Sequence, residues 1–199
     1  MKKIIILISL AVFGFALNYE KIREAYYKSY NYEKMGDYKD AIKVLIPVYE
    51  TYPNGYTVNL RLAWLFYLNK NYQNAIKHYE LAQKVAPHSF EPKLGLMRVY
   101  NTIGKFNKTL EIGNVLLKSD YYNYYGNYYY AYALFVLKDY KNSIAVCNKM
   151  LSVYPTSVLF LNLLGENYWY MGDKEKAKKI FQSVLILDPN NVIAKSFLK

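Results

Sequence analysis

Apolar, small and turn-forming residues along this chain fall into a block that returns every 34 residues, five times and without an insertion. The block reads Gly-x-Tyr-x-x-Ala with a proline twelve residues further on, and it is anchored on Ala41, Ala75, Thr109, Ser143 and Ala177. The copies run over 22–55, 56–89, 90–123, 124–157 and 158–191. A fixed period of this length predicts a solenoid, because one unit cannot bury its own apolar face and must stack on the next.

Each position in the period has a physical task. The twentieth is small in every copy, and the eighth repeats the theme in Ser29, Ala63, Ala131 and Gly165, as required where two helices cross closely. Gly36, Gly104 and Gly172 supply the backbone freedom that ends one helix and starts another. Asp37 and Asp40 follow Gly36 at a helix start, where a capping oxygen and a first-turn acid are both favourable. Pro53, Pro87, Pro155 and Pro189 then stop the second helix, since proline lacks an amide donor and clashes with the preceding turn. Two helices per unit follow, joined by short turns.

The segment from Leu161 to Pro189 has Leu164, Gly165, Tyr168, Gly172, Ala177, Phe181 and Pro189 in register, and with them it resembles a tetratricopeptide repeat. The resemblance covers 22–191 and implies an all-α, right-handed superhelical solenoid of five antiparallel helix pairs, with 192–199 left as a partial C-terminal helix. The third copy departs at Met97, Gly113 and Tyr121, where a small residue, a bulky one and proline are expected. That marks it as the loosest unit and a candidate hinge, or as a merely divergent repeat.

Ahead of the repeats, Lys2-Lys3, an apolar run from Ile4 to Phe15 and Gly14-Phe15-Ala16 have the anatomy of a secretory signal peptide over 1–16. The run falls short of the roughly 20 residues a membrane span needs. The expectation is an exported, periplasmic or secreted chain whose solenoid occupies 17–199. The single cysteine, Cys147, excludes an internal disulfide and falls on the apolar register shared by Leu45, Tyr79 and Phe181, so a buried, inert thiol is expected. Net charge is +11, of which Lys2 and Lys3 contribute two. Lysines such as Lys39, Lys43, Lys77, Lys141 and Lys179 lie on second helices, where they keep the outer surface wet; with the export signal this disfavours nucleic acid as a partner.

First helices of tetratricopeptide repeats line a concave groove, mainly through positions 2, 5, 9 and 12. Here those positions include Arg23, Tyr26, Tyr30, Trp64, Tyr67, Arg98, Asn101, Tyr125, Tyr128, Tyr132, Phe135 and Trp169, with Arg61 beside them. Nine of the twenty are aromatic against 18% for the whole chain, and both tryptophans are among them. Some of these rings can equally fill space between neighbouring helices in so tyrosine-rich a chain. An exposed aromatic surface otherwise marks an interaction site. A peptide laid on the rings with Arg61 and Arg98 pairing its carboxylates suits such a groove; so does a glycan stacked on the rings, with Glu91, Arg98, Asn101, Asn162 and Glu166 on its hydroxyls. The peptide-carboxylate clamp of some tetratricopeptide proteins does not map, since its positions hold Tyr26, Tyr30, Arg61, Glu91 and Gly95.

Catalytic signatures are missing from the sequence. His78 and His88 have no partners at metal-ligand spacing and read as solvated surface residues, and there is no phosphate loop, nucleophile elbow or activated nucleophile. The stretch 121–132 holds eight tyrosines but keeps the 34-residue register, so it reads as the turn into the fourth copy and its first helix, with Gly126 weakening that helix by about 1 kcal/mol. The expectation is a non-catalytic adaptor or scaffold of the cell envelope, without metal or cofactor. Its ligand is a protein or peptide, alternatively a polysaccharide. Self-association through the short C-terminal end is a third expectation.

Overall fold

The structure, a computed structural model, describes residues 17–199; the expected signal segment lies outside them. Twelve helices and no strand occur among the described residues. First helices are α1 (Tyr19–Lys34), α4 (Tyr56–Leu68), α6 (Glu91–Thr102), α8 (Tyr124–Val136) and α10 (Val158–Tyr170). Second helices are α5 (Tyr72–Val85), α7 (Phe106–Ser119), α9 (Tyr140–Val153) and α11 (Lys174–Leu187). In the first repeat the second helix is two pieces, α2 (Tyr38–Lys43) and α3 (Ile46–Thr51). The periodic pattern predicts one continuous helix there, but Pro47 has no N–H to give the Lys43 carbonyl and its ring crowds that turn, so the helix breaks at Val44 and Leu45. A short α12 (Val192–Phe197) ends the chain.

Each first helix packs on the second helix of its own repeat and on that of the repeat before it. First helices also pack side by side, α4 on α6, α6 on α8 and α8 on α10, whereas second helices make no comparable contact with one another. The stack therefore curves with its first helices on the inner side. The crossing point lies where the pattern placed it: Ser29 and Ala41, Ala63 and Ala75, Ala131 and Ser143 are fully buried, and the Ser143 hydroxyl donates to the Ala131 carbonyl across the crossing at 2.9 Å.

The turn between the two helices uses one residue in the left-handed region in all five repeats. Gly36, Gly104 and Gly172 take it at no steric cost, and Lys70 and Lys138 take it at φ 59° and 63°. The next residue caps the second helix: Asp37, Asn71, Asp139 and Asp173 each accept from the backbone N–H three residues on. Lys105 holds this place in the third repeat and caps nothing. Lys105→Asp is expected to stabilise the protein by about 1 kcal/mol. The urea midpoint reports it; an unchanged midpoint would mean the first-turn amides of α7 are already satisfied by water.

The third repeat is not loose where its residues depart from the pattern. Met97 is fully buried and its methyl fills the space above Gly113, while the Tyr130 ring covers the same glycine from α8, with a Cβ there only 2.5 Å from Tyr130 Cδ2. The sizes of the eighth and twenty-fourth positions have been exchanged, Met97 over Gly113 standing opposite to Gly165 under Phe181. Packing density is thereby kept. Tyr121 in place of proline also leaves the helix end where it is elsewhere, with Asp120 as the C-cap of α7. Gly126 has an equally local reason, since a Cβ there would come within 2.8 Å of Leu116.

A second periodic device holds the turns between repeats. Asn59, Lys93 and Asn127, at the fourth position of the middle copies, donate to two carbonyls of the preceding loop: Pro53 and Gly55, Pro87 and Ser89, Tyr121 and Asn123 respectively. These loops would otherwise bury unpaired carbonyls.

Candidate functional site

The inner face divides into three parts, and the expected groove residues are distributed among them. At the N-terminal end the side chains are tied to one another. Arg61 is nearly buried, donates through Nε to Ser29 Oγ at 3.1 Å, forms an ion pair with Glu33 and lies 3.8 Å above the Tyr30 ring. The other Glu33 oxygen accepts from Trp64 Nε1 at 2.7 Å. Arg61 was expected to pair a ligand carboxylate; the structure corrects this, because its charge is neutralised inside the fold by a carboxylate from α1. Tyr26 donates to Thr57 Oγ1 at 3.2 Å, and Arg23 is exposed and paired with Glu20.

The middle part is open. Trp64 and Tyr67 stack at 5.7 Å, and the Arg98 guanidinium sits 4.8 Å from the Trp64 ring centre and 5.8 Å from that of Tyr67. Arg98 Nε donates to the Tyr129 hydroxyl at 2.9 Å, and Asn101 Nδ2 donates to the Tyr129 carbonyl at 3.0 Å. Tyr67, Arg98, Asn101, Thr102, Tyr128, Tyr129 and Tyr132 together line a cleft of about 230 Å³. The rings continue from Tyr128 to Tyr132 at 6.4 Å, Tyr132 to Phe135 at 6.4 Å and Phe135 to Tyr170 at 5.6 Å. Tyr125 stands exposed and stacks on Tyr129.

At the C-terminal end Trp169 is not part of an open groove. Phe197 of α12 meets it at 5.1 Å and stacks on Phe181 at 4.8 Å, so α12 covers the last repeat. The partial C-terminal helix expected over 192–199 is α12, whose Ala194 and Phe197 pack on the apolar end of the fifth repeat and leave Ile186 and Val192 exposed.

Two residues missed by the sequence reading define the cleft. Tyr129 and Thr102 lie outside the 2, 5, 9, 12 stripe, and nothing in the period singles them out. Burial governs the titratable groups here. It raises the Glu166 carboxyl, and it pushes the Tyr128 hydroxyl up to about 12 with help from the Glu166 charge. Cys147 is fully buried and its thiol is likewise pushed up to about 12, which keeps it out of thiolate chemistry. His78 is a further correction, being nearly buried rather than solvated.

Family models described as tetratricopeptide repeat match residues 28–90 and 158–191. No curated protein matches the chain. Among solved structures, a tetratricopeptide repeat protein from Parabacteroides merdae is similar with a TM-score of 0.79 at 19% identity, over 90% of this chain and 71% of that one. MamA from Desulfovibrio magneticus, from residue 41 to its end, is similar with a TM-score of 0.76 at 16% identity, over 87% and 98%. YrrB, a tetratricopeptide protein with an unusual peptide-binding site, is similar with a TM-score of 0.69 at 11% identity, over 89% and 92%. At these identities the likeness is one of fold. The 34-residue period, the paired helices stacked in register and the matched repeats at both ends of the solenoid place this chain in the tetratricopeptide repeat family.

Proposed function

We propose that the protein is a non-catalytic adaptor that holds a peptide or an extended protein segment along the open middle of its inner face. The observation that carries this reading is the cleft between Tyr67, Arg98, Tyr128, Tyr129 and Tyr132, where half-buried rings meet a cation that has no counterion among the described residues, while Arg61 at one end of the face and Trp169 at the other are engaged within the fold. Rigid rings and an arginine are the groups that most often dominate binding energy. The cell-envelope setting belongs to the same proposal and rests on the sequence from Met1 to Ala16.

The structure also selects the variant. Trp64 donates to Glu33, so replacing it would disturb the Arg61 pair, whereas Tyr67, Tyr128 and Tyr132 line the cleft and rest partly on the core beneath it. Tyr67→Ala with Tyr132→Ala removes two half-buried rings from the cleft and is expected to weaken capture of a partner at least ten-fold while helicity persists. Comparing what the immobilised protein and this variant retain from an envelope extract is the check. Retention of carbohydrate alone would favour a glycan ligand, and loss of helicity in the variant would show that the rings are core. For the envelope setting, cell fractionation should find the protein outside the cytoplasm with Leu17 at its N-terminus; cytoplasmic protein retaining Met1 would remove that part.

A further inference from the structure

Two charged groups on the inner face have no counterion among the described residues. Arg98 on α6 bonds the neutral Tyr129 hydroxyl and lies over aromatic rings, with no carboxylate in ion-pair range. Glu166 on α10 is half-buried and makes neither a hydrogen bond nor an ion pair. Tyr128 stands between them, lining the cleft with Arg98 while the Glu166 charge acts on its hydroxyl. Each of the two helices also carries an amide acceptor without a donor. Asn101 lines the cleft, and its amide is fixed by donation to the Tyr129 carbonyl, yet its buried Oδ1 accepts from nothing. Asn162, one turn before Glu166 and 7% exposed, also has a buried, unpartnered Oδ1.

Charged and polar groups withdrawn from water and left unpaired are costly, and a ligand that brings the missing partners removes that cost. We infer that the peptide held on this face carries two opposite charges in a fixed order, an acidic side chain on Arg98 and a basic side chain on Glu166, the latter lying across Tyr128 and Tyr132. The inference rests on the peptide reading above and adds its charge code. A cation suits the second position through the free Glu166 carboxylate and the ring faces beside it. A bidentate carboxylate suits the first. Arg98 and Glu166 are two first-helix spacings apart, roughly 18 Å at 8–10 Å per helix pair. An extended chain rises about 3.3 Å per residue, so the two charges should stand about five residues apart.

The test is selection of a displayed random dodecapeptide library on the protein, on Arg98→Gln and on Glu166→Gln, followed by anisotropy titration of the enriched peptides. Peptides taken by the parent protein are expected to carry Asp or Glu and Lys or Arg at a common spacing. Each variant should lose selection for its own complementary charge only and bind the parent's peptides at least ten-fold more weakly. Glu166→Lys should then select an acid where the parent selects a base, a gain that unfolding cannot imitate. Peptides that bind parent and variants alike, and lose affinity only on Tyr67→Ala with Tyr132→Ala, would overturn the charge code and leave the groove standing. Absence of any enriched peptide would remove both.

Discussion

Glu33→Ala should destabilise the N-terminal end of the solenoid by about 3–5 kcal/mol, because it leaves the Arg61 guanidinium buried without a counterion. The Arg61 side chain is only 7% exposed, and one of its terminal nitrogens already lacks a partner, so no second acceptor is at hand to replace Glu33. The same change strips Trp64 Nε1 of its acceptor. Since each repeat is stabilised mainly through its neighbours, the loss should stay local. Hydrogen exchange should show α1 amides losing protection while α8 to α11 keep theirs. Replacing both partners by apolar residues of similar volume, Glu33→Leu with Arg61→Met, should recover most of the stability, since it removes the uncompensated charge as well as the pair. Equal exchange of α1 amides in Glu33→Ala and the parent would mean that water reaches Arg61 and the pair contributes little.

What the 34-residue period could and could not reveal follows from what a repeat encodes. It reports demands common to every unit, and the small crossing residues, the left-handed turn residue and the ends of the second helices all stand where it placed them. It is silent on pairings that occur once. Glu33, Arg61 and Trp64 meet in no other pair of repeats, so Arg61 looked like a ligand contact when it is a bolt between α1 and α4. Pro47 likewise occurs in one copy only, and its break in the second helix had to be read from proline chemistry rather than from periodicity. Met97 and Gly113 each violate the pattern alone and satisfy it together, which position-by-position comparison does not detect. His78 is different, because the signal was present: the same position holds Val44, Ile112, Val146 and Ile180 in the other copies, an apolar register that predicts burial. Of the candidate site, the rings of the open cleft were legible from the register of the first helices. Tyr129 was not, and Trp169 was misplaced because the reach of α12 depends on Phe197, outside the period.

Burial of His78 makes the protein's stability depend on pH from about 6.5 downwards, beginning above the range where surface carboxylates titrate. The ring stacks on Phe66 at 5.3 Å, meets Tyr49 edge-on at 4.9 Å and lies 2.8 Å from Asn59 Oδ1 through Nδ1. Asn59 spends its amide hydrogens on the Pro53 and Gly55 carbonyls, so its oxygen must accept and His78 Nδ1 must carry the proton. Protonating Nε2 would then place a cation among apolar rings. Burial first, and the nearby Lys77 charge second, lower the His78 pKa to about 4. An unfolded histidine titrates near 6.5, so the native state binds its proton less readily than the unfolded state does. Stability from the neutral ring is therefore complete above about pH 6.5 and is lost progressively as the pH falls towards 4, on the order of 2–3 kcal/mol in all. His78→Gln keeps a donor for Asn59 without the titration. Urea unfolding at pH 7 and pH 4 should show the parent losing that much more than the variant, the carboxylates affecting both alike. Parallel losses in the two proteins would mean that His78 reaches water before the repeat unfolds, and that the joint between the first and second repeats opens more readily than its packing implies.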